Sequence, residues 1–176
     1  MSLYVVRHGE TEWNYENRVC GTTDIRLTNR GIEQAKDLAQ LLRKKQINII
    51  ISSPLCRALN TAEIISKEIC TDYIVDQRLT EQDYGVFEGS PHDNKEFLEA
   101  KLHFANKLSG GESILQVVQR IFNLLDDIKE KYRNHNVLLV AHGGVCRVIN
   151  AYFKEQSNEE FYYFHIGNCE LKEYNF

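Results

Sequence analysis

No Cys-x-x-Cys pair occurs in this chain of 176 residues, and its five cysteines, at positions 20, 56, 70, 146 and 169, are odd in number and widely scattered. That argues against a disulfide framework or a zinc knuckle and for reduced thiols in a cytoplasmic protein. Basic residues are not in excess either: 21 Lys and Arg stand against 25 Asp and Glu, a formal net charge of −4 with a pI near 5.9. Nucleic acid and anionic membranes call for clustered positive charge, so neither is expected as a partner, and any anion must be captured locally. No apolar run approaches transmembrane length, and the N-terminus runs into a strand without a basic and apolar leader, so membrane spanning and secretion are not expected. Repeats, low-complexity tracts and linkers are missing as well. The length suits one domain, residues 1–176, large enough to bury a core without metals or disulfides.

Two segments stand out against this ordinary background. Residues 3 to 10 read Leu-Tyr-Val-Val-Arg-His-Gly-Glu, and residues 136 to 144 read Asn-Val-Leu-Leu-Val-Ala-His-Gly-Gly. Each is an apolar strand that delivers a histidine followed by glycine, at the carboxyl end where open α/β sheets keep their ligands. A single histidine of this kind is more often structural. Two matched ones, His8 and His142, aimed at one edge reverse that balance.

Between them the chain alternates strands and helices. Thr28 caps a helix whose apolar positions Ile32, Ala35, Leu38, Ala39 and Leu42 follow helical spacing. Asn48 to Ser52 reads as a strand, and Ser53-Pro54 as the cap and first turn of a helix running to about Ile69. Tyr73 to Val75 is a short strand, and Asp93 to Lys107 a charged helical insertion over the site. Ile114, Val117, Val118, Ile121, Leu125, Ile128 and Tyr132 mark a long helix, and another begins near Val145. Tyr162 to Ile166 and Glu170 to Tyr174, separated by Gly-Asn, read as a hairpin or an edge pairing. The alternation predicts a three-layer α/β/α sandwich with a mostly parallel central sheet, and a small helical lid at about 90–108.

Arginines occur at comparable places, Arg7 beside His8 and Arg57 in the first turn of the second helix. Guanidinium groups match phosphate oxygens bidentately, and a helix N-terminus adds N–H groups. Arg7-His8-Gly9-Glu10-Thr11, followed by Asn14 and Arg18, resembles the signature of the histidine phosphatase superfamily, which includes the phosphoglycerate mutases. The similarity continues through Gly21, Asp24, Leu27-Thr28, Gly31 and Gln34-Ala35, then the run from Ser52 to Ala62. Leu79, Glu81, Gly85, Glu88 and Gly89 follow, and Gly111-Glu112-Ser113 and Val140 to Gly144 complete it in order over nearly the whole chain.

The resemblance implies a phosphoglycerate mutase-like fold and a metal-independent phosphoric monoester hydrolase without cofactor. His8 would be the nucleophile that becomes phosphohistidine, and Arg7, Arg57 and His142 would hold the phosphoryl oxygens. Asn14 and the amide of Gly143 would add donors, and Cys20, Gly21 and Thr22 would contribute to substrate binding. Glu81 matches the acid/base that serves the leaving alcohol and then the water. Glu10 and Glu88 are read as orienting groups, Arg147 as a structural ion-pair partner, and Cys56 and Cys146 as inert. Trp13, Tyr15, Val19, Cys20, Phe87, His92, Phe97 and Phe104 are candidates for the substrate-facing wall.

Mutases of the family carry Glu-Arg-His-Tyr-Gly where this chain reads Glu81-Gln82-Asp83-Tyr84-Gly85, and a longer basic insertion than Ser90 to Ser109. The form Glu81 to Gly89 is closer to the small phosphatases, including the ribazole-phosphate phosphatase of cobalamin synthesis, so hydrolysis of a small phosphorylated substrate to inorganic phosphate is the expected reaction. Mutase activity is the weaker alternative. A catalytically silent binding module would have lost at least one of His8, Arg57, Glu81 and His142, and all four are present. Zinc is disfavoured by the flanking arginines and by the lack of a His-x-x-x-His spacing. Oligomeric state and physiological substrate are left open.

Overall fold

A computed structural model describes residues 1–176. In chain order its elements are β1 (Ser2–Arg7), α1 (Glu12–Tyr15), α2 (Asn29–Leu42), β2 (Ile49–Ser52), α3 (Cys56–Ile69), β3 (Tyr73–Val75), α4 (Lys95–Ala100), α5 (Ile114–Lys131), β4 (Val137–Ala141), α6 (Gly143–Phe153), α7 (Asn158–Tyr163) and β5 (Leu171–Asn175). The five strands form one sheet in the order β3-β2-β4-β1-β5. The first four are mutually parallel, and β5 closes the edge antiparallel to β1.

Alternation along the strands sorts the core into two layers. Val137, Leu139 and Ala141 of β4, with Leu3 and Val5 of β1, face α5 and α6. Leu138 and Val140, with Tyr4 and Val6, face α2 and α3. Both faces of the central strands are covered, which is why β4 reads as an unbroken apolar run. The expected three-layer α/β/α sandwich is the fold.

The position of the cleft follows from this topology. β1 and β4 are adjacent, in register from Leu3 opposite Val137 to Arg7 opposite Ala141. The chain leaving β1 next packs on one face through α2, and the chain leaving β4 packs on the other through α6. Where neighbouring connections diverge, a crevice opens at the carboxyl ends of the strands, and it opens between His8 and His142.

Three local expectations are corrected. α3 starts at Cys56 rather than at Pro54, and Ser53 is not its cap: the N-cap is Leu55, without a side-chain bond, because the Ser53 hydroxyl is engaged by His142. The insertion helix is only Lys95–Ala100, capped by Asn94. Phe97 packs with Val19, Tyr84 and Leu108, whereas Phe104 turns to Phe161, ring centroids 5.3 Å apart, and one continuous helix cannot serve both anchors. In the tail, Tyr162 to Ile166 is not a strand. Ser157 and Glu160 form a reciprocal capping box that starts α7, so only β5 joins the sheet.

Candidate active site

The two histidines are extensions of the central ladder. The His8 N–H donates to the Ala141 carbonyl (3.0 Å), one position beyond the end of β1, and the rings stand 5.1 Å apart, inclined by 59°. His8 Nδ1 lies 2.7 Å from the Gly9 carbonyl oxygen, so that nitrogen carries the proton. Its Nε2 accepts from Arg57 Nε–H at 3.2 Å and therefore holds the lone pair. Burial, reinforced by the Arg57 and Arg7 guanidinium groups, holds the His8 pKa well below its usual value. The result is a neutral imidazole at neutral pH whose unprotonated Nε2 meets only the Arg57 N–H.

His142 is set the other way round. Its Nε2 takes a 2.7 Å hydrogen bond with Ser53 Oγ, and its Nδ1 is buried with no partner. Burial, with Arg57, His8 and Arg7, lowers its pKa too. Arg7 donates from Nη1 to the Ile166 carbonyl (3.0 Å), while its Nε is likewise buried and unpaired. Unpaired buried polar nitrogens are costly. Their concentration beside one reactive imidazole marks a place for an anion.

Arg57 is fully buried yet meets no carboxylate. Its Nη2 and Nη1 donate to the carbonyls of Gly21 (2.5 Å) and Thr23 (2.9 Å). The loop turns those carbonyls inward because its N–H groups point outward to Glu88: Gly21, Thr22 and Thr23 donate to that carboxylate at 3.1, 3.0 and 3.3 Å. The Thr23 hydroxyl (2.7 Å) and the Tyr84 N–H (3.3 Å) add to it. Glu88 is thus an orienting group, as expected, and Gly21 and Thr22, two residues expected to bind substrate, have their N–H groups already occupied by it.

Glu81 is 4% exposed and sits on the N-terminus of α6, accepting from Gly144 N–H (2.9 Å), Val145 N–H (3.2 Å) and Gln82 N–H (2.9 Å). Gly144 has to lack a side chain, since a Cβ would stand 2.6 Å from Glu81 Oε1. Asn14 spends its Oδ1 on Thr11 N–H and on Asn168 Nδ2, 3.1 Å each, which leaves its own NH2 as a donor. Arg7, His8, Asn14, Cys20, Glu81 and Gly143 all line a single cleft of about 460 Å3. Burial pushes the Cys20 thiol up to about 11, so it stays protonated.

Of the wall candidates, Cys20, His92 and Phe97 face the cleft. Tyr15 projects into solvent, Val19 is buried in the small cluster with Tyr84, Trp13 carries the Arg18 guanidinium at 4.6 Å and Phe104 belongs to the main core. The cleft is also lined by residues that the sequence does not single out as site residues: Asn17, Tyr84, Lys101 and the run from Phe164 to Asn168. Arg147 was misread: it forms no ion pair and lines the cleft instead. No group of three or more His, Cys, Asp or Glu side chains is placed to hold a metal ion.

The model of the histidine phosphatase superfamily (branch 1) matches residues 3–176. The chain belongs to that superfamily. It is 34% identical to phosphoserine phosphatase 1 of Hydrogenobacter thermophilus, over 81% of this chain and 71% of the relative. Among solved structures it is similar to a mycobacterial glucosyl-3-phosphoglycerate phosphatase complexed with VO3 (TM-score 0.88, 28% identity, 98% of this chain and 90% of that one). It is also similar to a phosphoserine phosphatase of Entamoeba histolytica in complex with 3-phosphoglyceric acid (TM-score 0.84, 30% identity, 98% and 89%). This superfamily member has a mixed α/β fold around a mostly parallel sheet, as its neighbours do, and no helix long and apolar enough to cross a membrane.

Proposed function

We propose that this protein hydrolyses small phosphomonoesters in two steps through a phosphohistidine at His8. The observation that carries the reading is the His8 Nε2 lone pair, fixed by the Nδ1 bond to Gly9 and surrounded by buried donors that lack an acceptor. In the first step Nε2 attacks phosphorus, the bond to the ester oxygen breaks, and the leaving alkoxide takes a proton from Glu81. In the second, water gives its proton back to Glu81 as it attacks phosphorus, and the bond to Nε2 breaks to release phosphate. Arg57 Nε, now on Nε2, transfers its hydrogen bond to a phosphoryl oxygen. Arg7 Nε and His142 Nδ1 supply further donors, with Asn14 and Gly143 beside them.

Residues 90–108 roof the cleft as a lid anchored by Phe97 and Leu108. The five cysteines are all free thiols, which supports the cytoplasm as the compartment. The test is phosphate release from a panel of phosphorylated metabolites with a chelator present, together with acid quenching to trap an acid-labile phosphoryl adduct. Release that persists with chelator, an adduct on His8, and a loss of at least about 10⁴-fold in His8→Ala are expected. Release that needs a metal, or an unchanged rate in His8→Ala, would overturn the reading.

A further inference from the structure

The Gly111-Glu112-Ser113 run is part of the similarity to the superfamily, yet none of its residues lines the cleft. Its partners are on the segment that carries Glu81. The Glu112 N–H donates to the Asp83 carbonyl (2.9 Å), and the Asp83 N–H donates back to the Glu112 carboxylate (3.2 Å). The Gln82 side-chain amide donates to the Glu112 carbonyl (2.9 Å). Gly111 admits this approach, since a Cβ there would collide with the Asp83 carbonyl. Ser113 then caps α5.

Arg120, about two helical turns along α5, completes the clamp. Its five N–H groups make five bonds. Nε and Nη2 grip the Glu112 carboxylate at 3.1 and 2.9 Å. Nη1 serves the carbonyls of Arg78 and Thr80, and the second Nη2 hydrogen reaches the Glu81 carbonyl at 3.3 Å. These carbonyls have no other donor, and Thr80 to Tyr84 lie in no helix or strand, so no ladder fixes that backbone. The charges of Arg120 and Glu112 offset one another, and neither group lines the cleft. What they contribute is position. At its other end Glu81 rests its carboxylate on the Gly144 and Val145 N–H groups of α6. The residue hangs between two helices, backbone on α5 and side chain on α6.

We infer that Arg120 and Glu112 are positioning residues for proton transfer, holding the Glu81 backbone where its carboxylate reaches both α6 and the reacting oxygen. The inference rests on the reading of Glu81 as acid and base, and it carries the machinery outside the cleft. A lysine would not replace Arg120, because one ammonium cannot span a carboxylate and three carbonyls as the planar fork does. The loss on breaking the clamp should fall on the steps that use Glu81. A p-nitrophenolate leaves without a proton, so its phosphoryl transfer to His8 does not call on Glu81, whereas an alkoxide needs the proton and phosphohistidine hydrolysis needs the base.

The experiment pairs Arg120→Met with Arg78→Met, which loses ion pairs to Asp76 and Asp127 on the same segment and so reports general loosening. Single-turnover release of nitrophenolate measures the first step alone. In Arg120→Met it should stay within about 3-fold of the wild type, while kcat for the alkyl phosphate that the wild type hydrolyses fastest falls about 30-fold. First-turn helix N–H groups have no intrahelical acceptor, so hydrogen exchange at Gly144 and Val145 should rise about 10-fold relative to Val148 and Ile149 in the same helix. In Arg78→Met both ratios should match the wild type. An equal fall for the two esters, or no relative rise in exchange, would overturn the clamp. If the wild type releases no phosphate from any ester, the phosphatase reading fails on its own, and the exchange comparison still decides whether Arg120 holds Glu81. Arg120→Lys and Glu112→Gln carry the same comparisons should Arg120→Met not fold, with effects of the same direction and smaller size.

Discussion

Replacing Glu88 by glutamine changes no atom in contact with the cleft, yet it should damage both stability and turnover. The carboxylate serves five donors, three through Oε2 and two through Oε1. A glutamine keeps one oxygen and puts an NH2 in place of the other. With the amide oxygen in the more demanding position, the N–H groups of Thr22 and Tyr84 lose their acceptor; the opposite flip strands Gly21 and Thr23. Two half-buried donors left unmatched, at about 1–2 kcal/mol each, together with weaker bonds to the neutral oxygen, give a loss of about 3 kcal/mol. For a domain of this size that corresponds to a fall in Tm of roughly 6–12 °C. Urea denaturation measures it as a lower midpoint at unchanged slope. The loop that relaxes is the one whose Gly21 and Thr23 carbonyls grip Arg57, so kcat should fall about 10-fold through the misplaced guanidinium. A stability loss below about 1 kcal/mol, or a full loss with kcat untouched, would refute the view that Glu88 holds the arginine through the loop.

Three further outcomes follow from the geometry. Gly144→Ala places a Cβ 2.6 Å from Glu81 Oε1 and 3.1 Å from the Tyr84 hydroxyl, so the carboxyl group must shift and kcat should drop by about 100-fold while the fold survives; wild-type turnover in this variant would show that Glu81 tolerates displacement. Ser53→Ala leaves both nitrogens of His142 without a partner and should cost about 2 kcal/mol in a melting experiment, along with a slower reaction; a neutral effect would mean that Ser53 does not orient the ring. Stability should decline on acidification. His8 and His142 have folded-state pKa values held below the ordinary 6.5, so above that pH they are neutral folded or unfolded. Below it the unfolded chain binds protons that the folded one refuses, and stability falls by up to about 1.4 kcal/mol per pH unit for each histidine. Denaturation midpoints between about pH 7.5 and 5.5 that stay flat would contradict the buried neutral pair.

Sequence reasoning succeeded where a residue type had one economical use. An apolar strand ending in histidine, twice, could only place two imidazoles at one sheet edge, and β1 and β4 lie side by side as that requires. What the glycine after Gly143 is for was not read: a Cβ at Gly144 would stand 2.6 Å from Glu81 Oε1. Reasoning fell short where a side chain had two plausible partners. Ser53 has the local look of a helix cap, but the stronger partner is a histidine 89 positions away. Tyr162 to Ile166 has the composition of a strand, and the Ser157 to Glu160 capping box, visible in the sequence, outweighs it. Asn168 carried no local signal: its bonds to the His8 carbonyl and to Asn14 exist only because β5 brings the tail back beside β1.

The partners of Arg57 have a consequence for how such a protein can change. Its three donor atoms are committed to His8, Gly21 and Thr23, and the loop bearing two of those acceptors is tied in turn to Glu88. Arg57, Gly21, Thr23 and Glu88 are each bonded to at least two others of that set, so no single replacement among these four is neutral, and a different reaction would require several to move together. Lys101, on the far wall, touches only aromatic faces and constrains nothing else in the cleft. New substrates are therefore within reach of one substitution at a time, while the phosphoryl chemistry is locked by its own interdependence.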